Sequence, residues 1–371
     1  MRIGIPREVK DNEFRVSMTP AGVRELVSAG HTVRLERSAG VGSSITDAEY
    51  ERAGATIVET ADELWAGSEL VCKVKEPVAE EFHRLRGDLV LFTYLHLAAS
   101  RACTDALLGA GTVGIAYETV QLRDGSLPLL APMSEVAGRM APLVGAEHLQ
   151  RPAGGRGVLV SGVPGVRAAQ VVVIGAGVSG MNAAMIAAGM HAEVRVLDRD
   201  LAKLRAVDAL YQGRITTLAS SEHAIEEACV DADLVIGAVL VPGAKAPRLV
   251  SDELVAKMRP GSVLVDISVD QGGCFESTHP TTHSAPTFPV HGSLFYCVAN
   301  MPGAVPHTST HALTNATLRY TVAIAEHGWR EAARHDPALA LGLNTVDGSV
   351  TYAPVAEAHG LDVLPLADVL A

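Results

Sequence analysis

The stretch that decides the fold is residues 170–198, which reads QVVVIGAGVSGMNAAMIAAGMHAEVRVLD. The apolar residues 171–174 predict a buried strand, and Gly175, Gly177 and Gly180 follow it in a G-x-G-x-x-G spacing. The first glycine of such a motif makes a tight turn, and the second lets backbone N–H groups approach a pyrophosphate. The third lets the following helix pack closely on the strand. This stretch therefore predicts a strand, a turn and a helix that bind a dinucleotide.

Asp198 ends the second apolar strand of the same stretch, residues 194–198. A carboxylate at this place accepts hydrogen bonds from an adenosine ribose and repels a 2′-phosphate, which favours NAD over NADP. The neighbouring Arg199 favours the opposite choice, because an arginine can pair with a 2′-phosphate. The alternative is an ordinary strand and turn with an exposed aspartate, and the glycine spacing favours the NAD site.

Residues 168–192 carry no formal charge, and on length alone they would span a bilayer. Their glycines break the apolar pattern after a few residues, however, so a strand, a turn and a small-residue helix account for them better. The N-terminal residues also lack the apolar core of a signal peptide. The sequence predicts no membrane segment and no secretion.

The composition of the 371 residues limits the functional classes further. Hydrophobic residues make up 48% and charged residues 19%, which excludes a generally disordered chain. A formal net charge of −12 argues against nucleic acid or an anionic membrane as partner. The 5 cysteines are widely spaced and form no C-x-x-C pair, which is typical of reduced thiols in a cytoplasmic protein.

Strands and helices alternate along the rest of the chain, which favours an α/β fold with ligands at the carboxyl ends of parallel strands. A helix is predicted over residues 134–148, with Ser134 as its N-cap. Residues 308–334 have the spacing of one long helix that packs back on the first series of strands. We therefore expect two Rossmann-like domains with parallel sheets and a cleft between them. They are a discontinuous substrate domain over residues 1–130 and 308–371, and an NAD-binding domain over residues 131–307.

Four side chains outside the glycine motif are candidates for the chemistry. Arg15 offers a planar guanidinium for a substrate carboxylate, while Lys75, His96 and Asp270 each follow an apolar predicted strand. Taken singly, each has a commoner interpretation as a solvated charge, a core histidine or a turn residue. Three of the four lie at the carboxyl ends of strands, however, where open α/β sheets bind their ligands.

Several motifs together resemble one family. GIP at residues 4–6, NEFRV at 12–16 and TP at 19–20 are similar to the N-terminal signature of alanine dehydrogenases and of the NAD-binding subunit of proton-pumping transhydrogenases. The resemblance continues through the glycine motif and covers nearly the whole chain. Transhydrogenase subunits lack the lysine and histidine that correspond to Lys75 and His96, so alanine dehydrogenase is the better match.

The resemblance implies reversible oxidative deamination of L-alanine to pyruvate and ammonia with NAD as cofactor. Arg15 and Lys75 would bind the substrate carboxylate, and His96 and Asp270 would be catalytic in the closed cleft. The alternatives are a non-catalytic transhydrogenase subunit, or a related dehydrogenase of the saccharopine or glycine/glyoxylate type.

The resemblance further implies a cytoplasmic homo-oligomer, with a hexamer preferred, and no metal site is predicted. Gly272 and Gly273 would let the backbone approach the nicotinamide. The predicted cofactor-binding residues are Ser134, Gly175, Gly177, Val178, Ser179, Gly180, Asp198, Lys203, Ser220, Val239, Leu240, Ile267, Asn300 and Met301.

Overall fold

The structure of the protein is a computed structural model that describes residues 1–239 and 246–371. The chain divides into unit 1, Met1–Met133 with Gly303–Ala371, and unit 2, Ser134–Pro302. Each unit contains one mostly parallel sheet with helices, so the predicted α/β fold is confirmed. The assignment of a substrate role and an NAD-binding role to the two domains stays a prediction.

The strands of the described residues are short and mostly buried. In chain order they are β1 Arg2–Ile5, β2 Thr32–Glu36, β3 Thr56–Val58, β4 Leu70–Cys72, β5 Val90–Thr93, β6 Val113–Ala116, β7 Gln170–Ile174, β8 Glu193–Asp198, β9 Ile215–Ala219, β10 Leu234–Gly237, β11 Val263–Asp266, β12 Thr287–Val290, β13 Ser293–Tyr296, β14 Leu343–Val346 and β15 Ser349–Val350.

The helices of the described residues connect these strands and cover the sheets. They are α1 Pro20–Ser28, α2 Asp47–Arg52, α3 Ala61–Ala66, α4 Arg101–Ala110, α5 Ala131–His148, α6 Val178–Gly189, α7 Leu201–Tyr211, α8 Glu222–Val230, α9 Asp252–Lys257, α10 Pro306–His327, α11 Trp329–His335, α12 Pro337–Ala340, α13 Ala353–His359 and α14 Leu366–Val369.

The sheet of unit 1 has the strand order β15-β14-β6-β5-β4-β1-β2-β3. Its strands are parallel except for β14, which runs antiparallel to both of its neighbours. Strands β4, β5 and β6 are buried at every position, as expected for central strands of a parallel sheet covered on both faces. The chain leaves these three adjacent strands at the same edge of the sheet, which places the residues that follow them side by side.

The sheet of unit 2 has the strand order β12-β13-β11-β10-β7-β8-β9, in which only the β12–β13 pair is antiparallel among the described strands. Helix α6 packs on this sheet through alanines, including Ala183 and Ala187, which are fully buried. These small side chains keep the helix close to the strand that precedes it. The close packing holds the N-terminus of α6 against the glycine turn.

Three local predictions are wrong. Helix α5 begins at Ala131, so Ser134 lies inside it and is not its N-cap; Pro132 stands in the first turn, where its missing N–H costs nothing. The single helix predicted over residues 308–334 is divided into α10 and α11, because Gly328 takes a left-handed φ of 76° between them. The short strands expected near residues 154–165 are absent from the described chain, which forms there only an isolated bridge between Val163 and Val166.

Candidate active site

The glycine turn of unit 2 has the geometry of a phosphate-binding turn. Gly175 has a φ of 105°, and a Cβ on it would lie 2.6 Å from the carbonyl oxygen of Ala238. A Cβ on Gly180 would lie only 1.8 Å from the carbonyl oxygen of Gly175. A Cβ on Gly177, in contrast, would have no atom of the described residues within 4 Å, and none of their side chains caps the start of α6. The first N–H groups of α6 are therefore left uncapped by the described side chains, which suits a pyrophosphate.

Asp198 lies beside this turn at the end of β8. Its Oδ2 accepts a hydrogen bond of 2.6 Å from the N–H of Ala176, and its Oδ1 accepts one of 2.8 Å from the N–H of Asp200. The carboxylate thus fixes the middle of the glycine turn while remaining half-exposed. A negative charge held at this corner fits a ribose better than a 2′-phosphate.

The other predicted cofactor residues occupy varied positions in unit 2. Ser134 is half-buried, Lys203 is exposed on α7, and Met301 is buried. The remaining members are held by backbone contacts or lie next to the turn: Val178 and Ser179 at the start of α6, Ser220 with its N–H on the carbonyl of Asp198, Val239 with its carbonyl on Ser268 Oγ, Ile267 with its N–H on the carbonyl of Gly237, and Asn300 with its carbonyl on His283 Nε2. Leu240 lies outside the described residues.

Asp270 is exposed on a short 3₁₀ turn, Val269–Gln271, which follows β11. The loop that carries it is organised by the fully buried Asp266. That carboxylate accepts hydrogen bonds from the N–H of Ser268 at 2.9 Å, the N–H of Cys274 at 2.8 Å and the hydroxyl of Thr278 at 2.6 Å. Burial raises the pKa of Asp266 against the lowering effect of these bonds.

Gly272 and Gly273, which follow Asp270, both have positive φ values, of 95° and 78°. A Cβ on Gly273 would lie 2.1 Å from Thr278 Cγ2 and 2.6 Å from Asp266 Oδ2. The described structure therefore accounts for Gly273 by close packing within the loop. The approach of Gly272 and Gly273 to the nicotinamide stays a prediction.

In unit 1, Lys75 and His96 each stand three residues beyond the end of a strand, and those strands, β4 and β5, are parallel neighbours. The two chain segments continue side by side, because the hydroxyl of Thr93 donates to the carbonyl of Lys75 at 3.0 Å and the N–H of Tyr94 donates to the carbonyl of Val74 at 3.3 Å. The two candidates therefore lie at one edge of one sheet.

A buried ionic cluster supports the end of β4. The ammonium of Lys73 is fully buried and lies 2.8 Å from Glu81 Oε1 and 3.2 Å from Glu8 Oε2. Burial acts against its charge, but the two carboxylates outweigh burial and raise the pKa of Lys73. Glu8 also accepts a hydrogen bond of 2.6 Å from the N–H of Val74, which fixes the backbone immediately before Lys75.

Arg15 is 2% exposed and forms a bidentate pair with Glu13, in which its Nε donates to Glu13 Oε1 at 2.7 Å and its Nη2 donates to Oε2. Its Nη1 lies 3.0 Å from the sulfur of Met133. Burial acts to raise the pKa of Glu13, but the bonds and charge of Arg15, with a contribution from Lys75, lower it. The guanidinium is thus held rigidly and its charge is compensated.

Lys75 differs from Arg15 in that its half-buried ammonium forms no ion pair or side-chain hydrogen bond with any residue of the described ranges. Its charge is nevertheless felt at Glu13, where it favours the ionised carboxylate. An uncompensated cation at a strand end is a suitable partner for the carboxylate of a small substrate.

His96 has a backbone φ of 46° and ψ of 39°, in the left-handed region. Its ring is 40% exposed and stacks parallel to the ring of Tyr94. Glu118, which follows β6, accepts hydrogen bonds from the N–H groups of Leu95 and His96, and its Oε1 lies 3.8 Å from His96 Nδ1. His96 is therefore a positioned histidine with one nitrogen facing a carboxylate.

Sequence reasoning selected neither Glu13 nor Glu118. Glu118 stands just beyond the predicted strand at residues 112–116, so the rule that selected Lys75 and His96 would also have found it. Glu13 gives no such signal, because only the folded chain shows that its carboxylate is paired with Arg15.

No group of three or more metal-binding side chains occurs in residues 1–239 and 246–371. In the same ranges no helix is both long and apolar enough to cross a membrane.

Comparisons with known proteins cover the whole chain. The family model described as "Alanine dehydrogenase/PNT, N-terminal domain" matches residues 4–137, and the corresponding C-terminal domain matches residues 141–353. The chain is 62% identical to the alanine dehydrogenase of Mycobacterium tuberculosis over 371 residues, which is 100% of both chains.

Two solved structures extend the comparison. One, described as "L-alanine dehydrogenase", has a TM-score of 0.94 and 49% identity over 97% of this chain and 99% of that chain. A transhydrogenase from Sinorhizobium meliloti has a TM-score of 0.80 and 27% identity over 95% of this chain and 99% of that chain.

Proposed function

The chain belongs to the alanine dehydrogenase/PNT family, and from this premise we propose that it catalyses the reversible oxidative deamination of L-alanine to pyruvate and ammonia with NAD as cofactor. The family uses a nicotinamide dinucleotide and acts on small molecules. The observation that carries the proposal is the pair of an uncompensated Lys75 and a positioned His96 at adjacent strand ends of unit 1. A cofactor subunit without its own chemistry would need neither.

The substrate carboxylate binds to Lys75 and Arg15. Because Glu13 compensates the charge of Arg15, Lys75 supplies most of the attraction, and Arg15 supplies rigid N–H geometry. The ordered guanidinium fixes the orientation of the small substrate, which lowers the entropic cost of reaching a reactive geometry.

The cofactor would be held by the turn Gly175–Gly180, with its pyrophosphate at the N-terminus of α6 and its adenosine ribose at Asp198. The carboxylate of Asp198 favours NAD over NADP by charge repulsion of a 2′-phosphate. When bound, NAD supplies the acceptor for the hydride that leaves Cα of alanine.

His96 moves the protons of the reaction. As base it takes a proton from the substrate ammonium, so that the C–N bond becomes an imine when the Cα hydride departs. That proton passes to solvent, and His96 then takes a proton from the water that adds to the imine carbon and gives it to the nitrogen. The C–N bond breaks as the new hydroxyl returns its proton to His96, which releases ammonia and leaves the pyruvate carbonyl. An imidazole suits both directions, since its ordinary pKa lies close to neutral pH.

Asp270, as the group that holds the ammonium or orients the water, is also part of the proposal, as is a cytoplasmic homohexamer. Support for a reducing compartment comes from the five cysteines, which are all free and buried in the described structure. Light scattering of the purified protein tests the hexamer.

The decisive experiment is an assay of NADH formation from L-alanine and NAD at alkaline pH, followed by a panel of small amino and 2-oxo acids. Lys75→Ala should raise the KM for alanine strongly, and His96→Ala should lower kcat by about 10²- to 10⁴-fold. Lys257→Ala and His223→Ala, on exposed helix positions, are the matched controls. Absence of NADH formation by the unmodified protein refutes the proposal, and a preference for glycine assigns the related activity.

A further inference from the structure

Glu118 is the carboxylate that holds the loop after β5 in place. It lies in the short turn Tyr117–Thr119 that follows β6, the parallel neighbour of β5, and its side chain is 14% exposed. Both of its oxygens lie 3.2 Å from the N–H of Leu95, and Oε1 also accepts a bond of 2.6 Å from the N–H of His96. One carboxylate therefore binds two successive backbone N–H groups.

These N–H groups belong to a strained segment. His96 has a φ of 46°, in the left-handed region, where the Cβ of an L-residue crowds the following carbonyl oxygen and the backbone is disfavoured. A hydrogen bond to an ionised acceptor is about twice as strong as one between neutral groups, and here two such bonds end on one carboxylate. Glu118 therefore offsets the strain that His96 carries.

The strained backbone determines where the imidazole lies. The ring is parallel to that of Tyr94, with an interplanar angle of 7° and a centroid separation of 5.9 Å. Nδ1 lies 3.8 Å from Glu118 Oε1, which is an ion-pair distance but too long for a hydrogen bond. Nδ1 is thus the ring nitrogen on the side of Glu118, and Nε2 is the nitrogen left for a ligand.

We propose that Glu118 is a positioning residue for His96: it holds the left-handed backbone that aims the imidazole and directs the exchanging proton to Nε2. This inference rests on the proposed function, because it assigns to Glu118 a role in the proton transfers of His96. Glu118 itself touches neither substrate nor cofactor in the proposal.

The test compares Glu118→Ala and Glu118→Gln with the unmodified enzyme. Glu118→Ala removes every acceptor, so kcat for L-alanine should fall by about 10²-fold, the cost of misplacing a catalytic group. The KM for L-alanine should stay within about threefold of the original value, because Lys75 and Arg15 are untouched. Glu118→Gln keeps one oxygen for the backbone N–H groups but loses the charge. Its kcat should therefore lie between that of Glu118→Ala and that of the unmodified enzyme.

Glu36→Ala is the matched control, since Glu36 is also a nearly buried carboxylate that accepts a backbone N–H, that of Arg7 at 2.9 Å, at the end of a strand of the same sheet. Its kcat should be unchanged even if its Tm falls. The double variant with His96→Ala adds a second readout: Glu118→Ala should cause no further loss once the imidazole is gone.

A kcat for both Glu118 variants within about threefold of the original overturns the inference, and so does an equal loss of kcat in Glu36→Ala. If Glu118→Ala does not fold, the kcat and KM of Glu118→Gln decide alone. Failure of the unmodified enzyme to oxidise alanine refutes the proposed function, whereas normal turnover by the Glu118 variants refutes only the role of Glu118.

Discussion

In unit 1, buried or partly buried ionic side chains fix the strand ends that carry Lys75 and His96, whereas in unit 2 close backbone contacts fix the turn Gly175–Gly180. The first arrangement depends on charges that compensate one another away from water. The second depends on the absence of side chains where a helix, a turn and a strand meet.

The difference follows from what each unit is proposed to bind. A small substrate with a carboxylate and an amine needs charges at fixed positions, and buried charges keep their positions only when they are paired. A pyrophosphate is bound by backbone N–H groups, so the chain must come close and side chains must be absent. The units should therefore respond differently to substitution.

The largest effect is expected at the ionic cluster of unit 1. Lys73→Met leaves the buried carboxylates of Glu8 and Glu81 without a cation, and breaking a buried pair in this way costs about 3–5 kcal/mol. Calorimetry should show a fall in Tm of roughly 10 °C for a unit of this size. Lys257→Met, which removes an exposed pair with Glu226, is the control and should change little.

A triple variant that adds Glu8→Gln and Glu81→Gln to Lys73→Met should recover part of the lost stability, because no buried charge is then left unpaired. If Lys73→Met were no more destabilising than Lys257→Met, compensated charge would not be what holds unit 1.

The second effect concerns the closest backbone contact of unit 2. Gly180→Ala places a Cβ 1.8 Å from the carbonyl oxygen of Gly175, so α6 must move away from β7, at a cost of about 1–3 kcal/mol. Both the Tm and the affinity for NADH should fall. Gly189→Ala, in the same helix with no atom within 4 Å of the new Cβ, should leave both unchanged. Equal behaviour of the two variants would contradict the role of close packing.

The third effect separates binding from stability at Gly177. Its Cβ would contact none of the described residues, so Gly177→Ala should leave the Tm within about 2 °C of the original. The same space is where the pyrophosphate is proposed to lie, so the Kd for NADH should rise about tenfold, as fluorescence titration would show. An unchanged Kd would place the pyrophosphate elsewhere.

The same contrast explains how far the sequence predicts the structure. The turn of unit 2 was predictable because the spacing of Gly175, Gly177 and Gly180 reflects local steric requirements. The strand-end rule likewise selected Lys75 and His96, which lie beyond adjacent strands, and their roles stay predictions from the family resemblance. The division of the long helix at Gly328 was missed, because apolar spacing continues through a residue whose φ only the structure reveals.

The ionic partners could not be predicted in the same way. Glu118 is close to His96 only because β5 and β6 are neighbours, and Lys73 meets Glu8 only because β1 and β4 pair. Such pairs depend on strand order, which a single sequence does not state. The structure therefore adds most to unit 1, where function is proposed to depend on compensated charge.

The smallest effect is expected in how stability depends on pH. The contributions of Asp266 in unit 2 and of Glu13 in unit 1 should change with pH in opposite directions. Asp266 in unit 2 has a pKa raised by burial above its ordinary value of 3.8, so the folded protein binds its proton more readily than the unfolded chain. The free energy of unfolding therefore falls as pH rises from the ordinary pKa of the carboxyl to its raised pKa in the folded protein. The Tm of the unmodified protein, measured relative to Asp266→Asn, should therefore be higher near pH 4 than near pH 7.

Glu13 in unit 1 should show the opposite sign, because Arg15 outweighs its burial and lowers its pKa below 4.5. The stability that its ionised form contributes is complete above pH 4.5 and is lost as pH falls through the folded pKa. The Tm of the unmodified protein relative to Glu13→Gln should therefore decrease on acidification. If the two Tm differences changed in the same direction on acidification, the ion pair of Glu13 and the burial of Asp266 would not have opposite effects on stability. Opposite signs would show that the two loops are held by different electrostatic means.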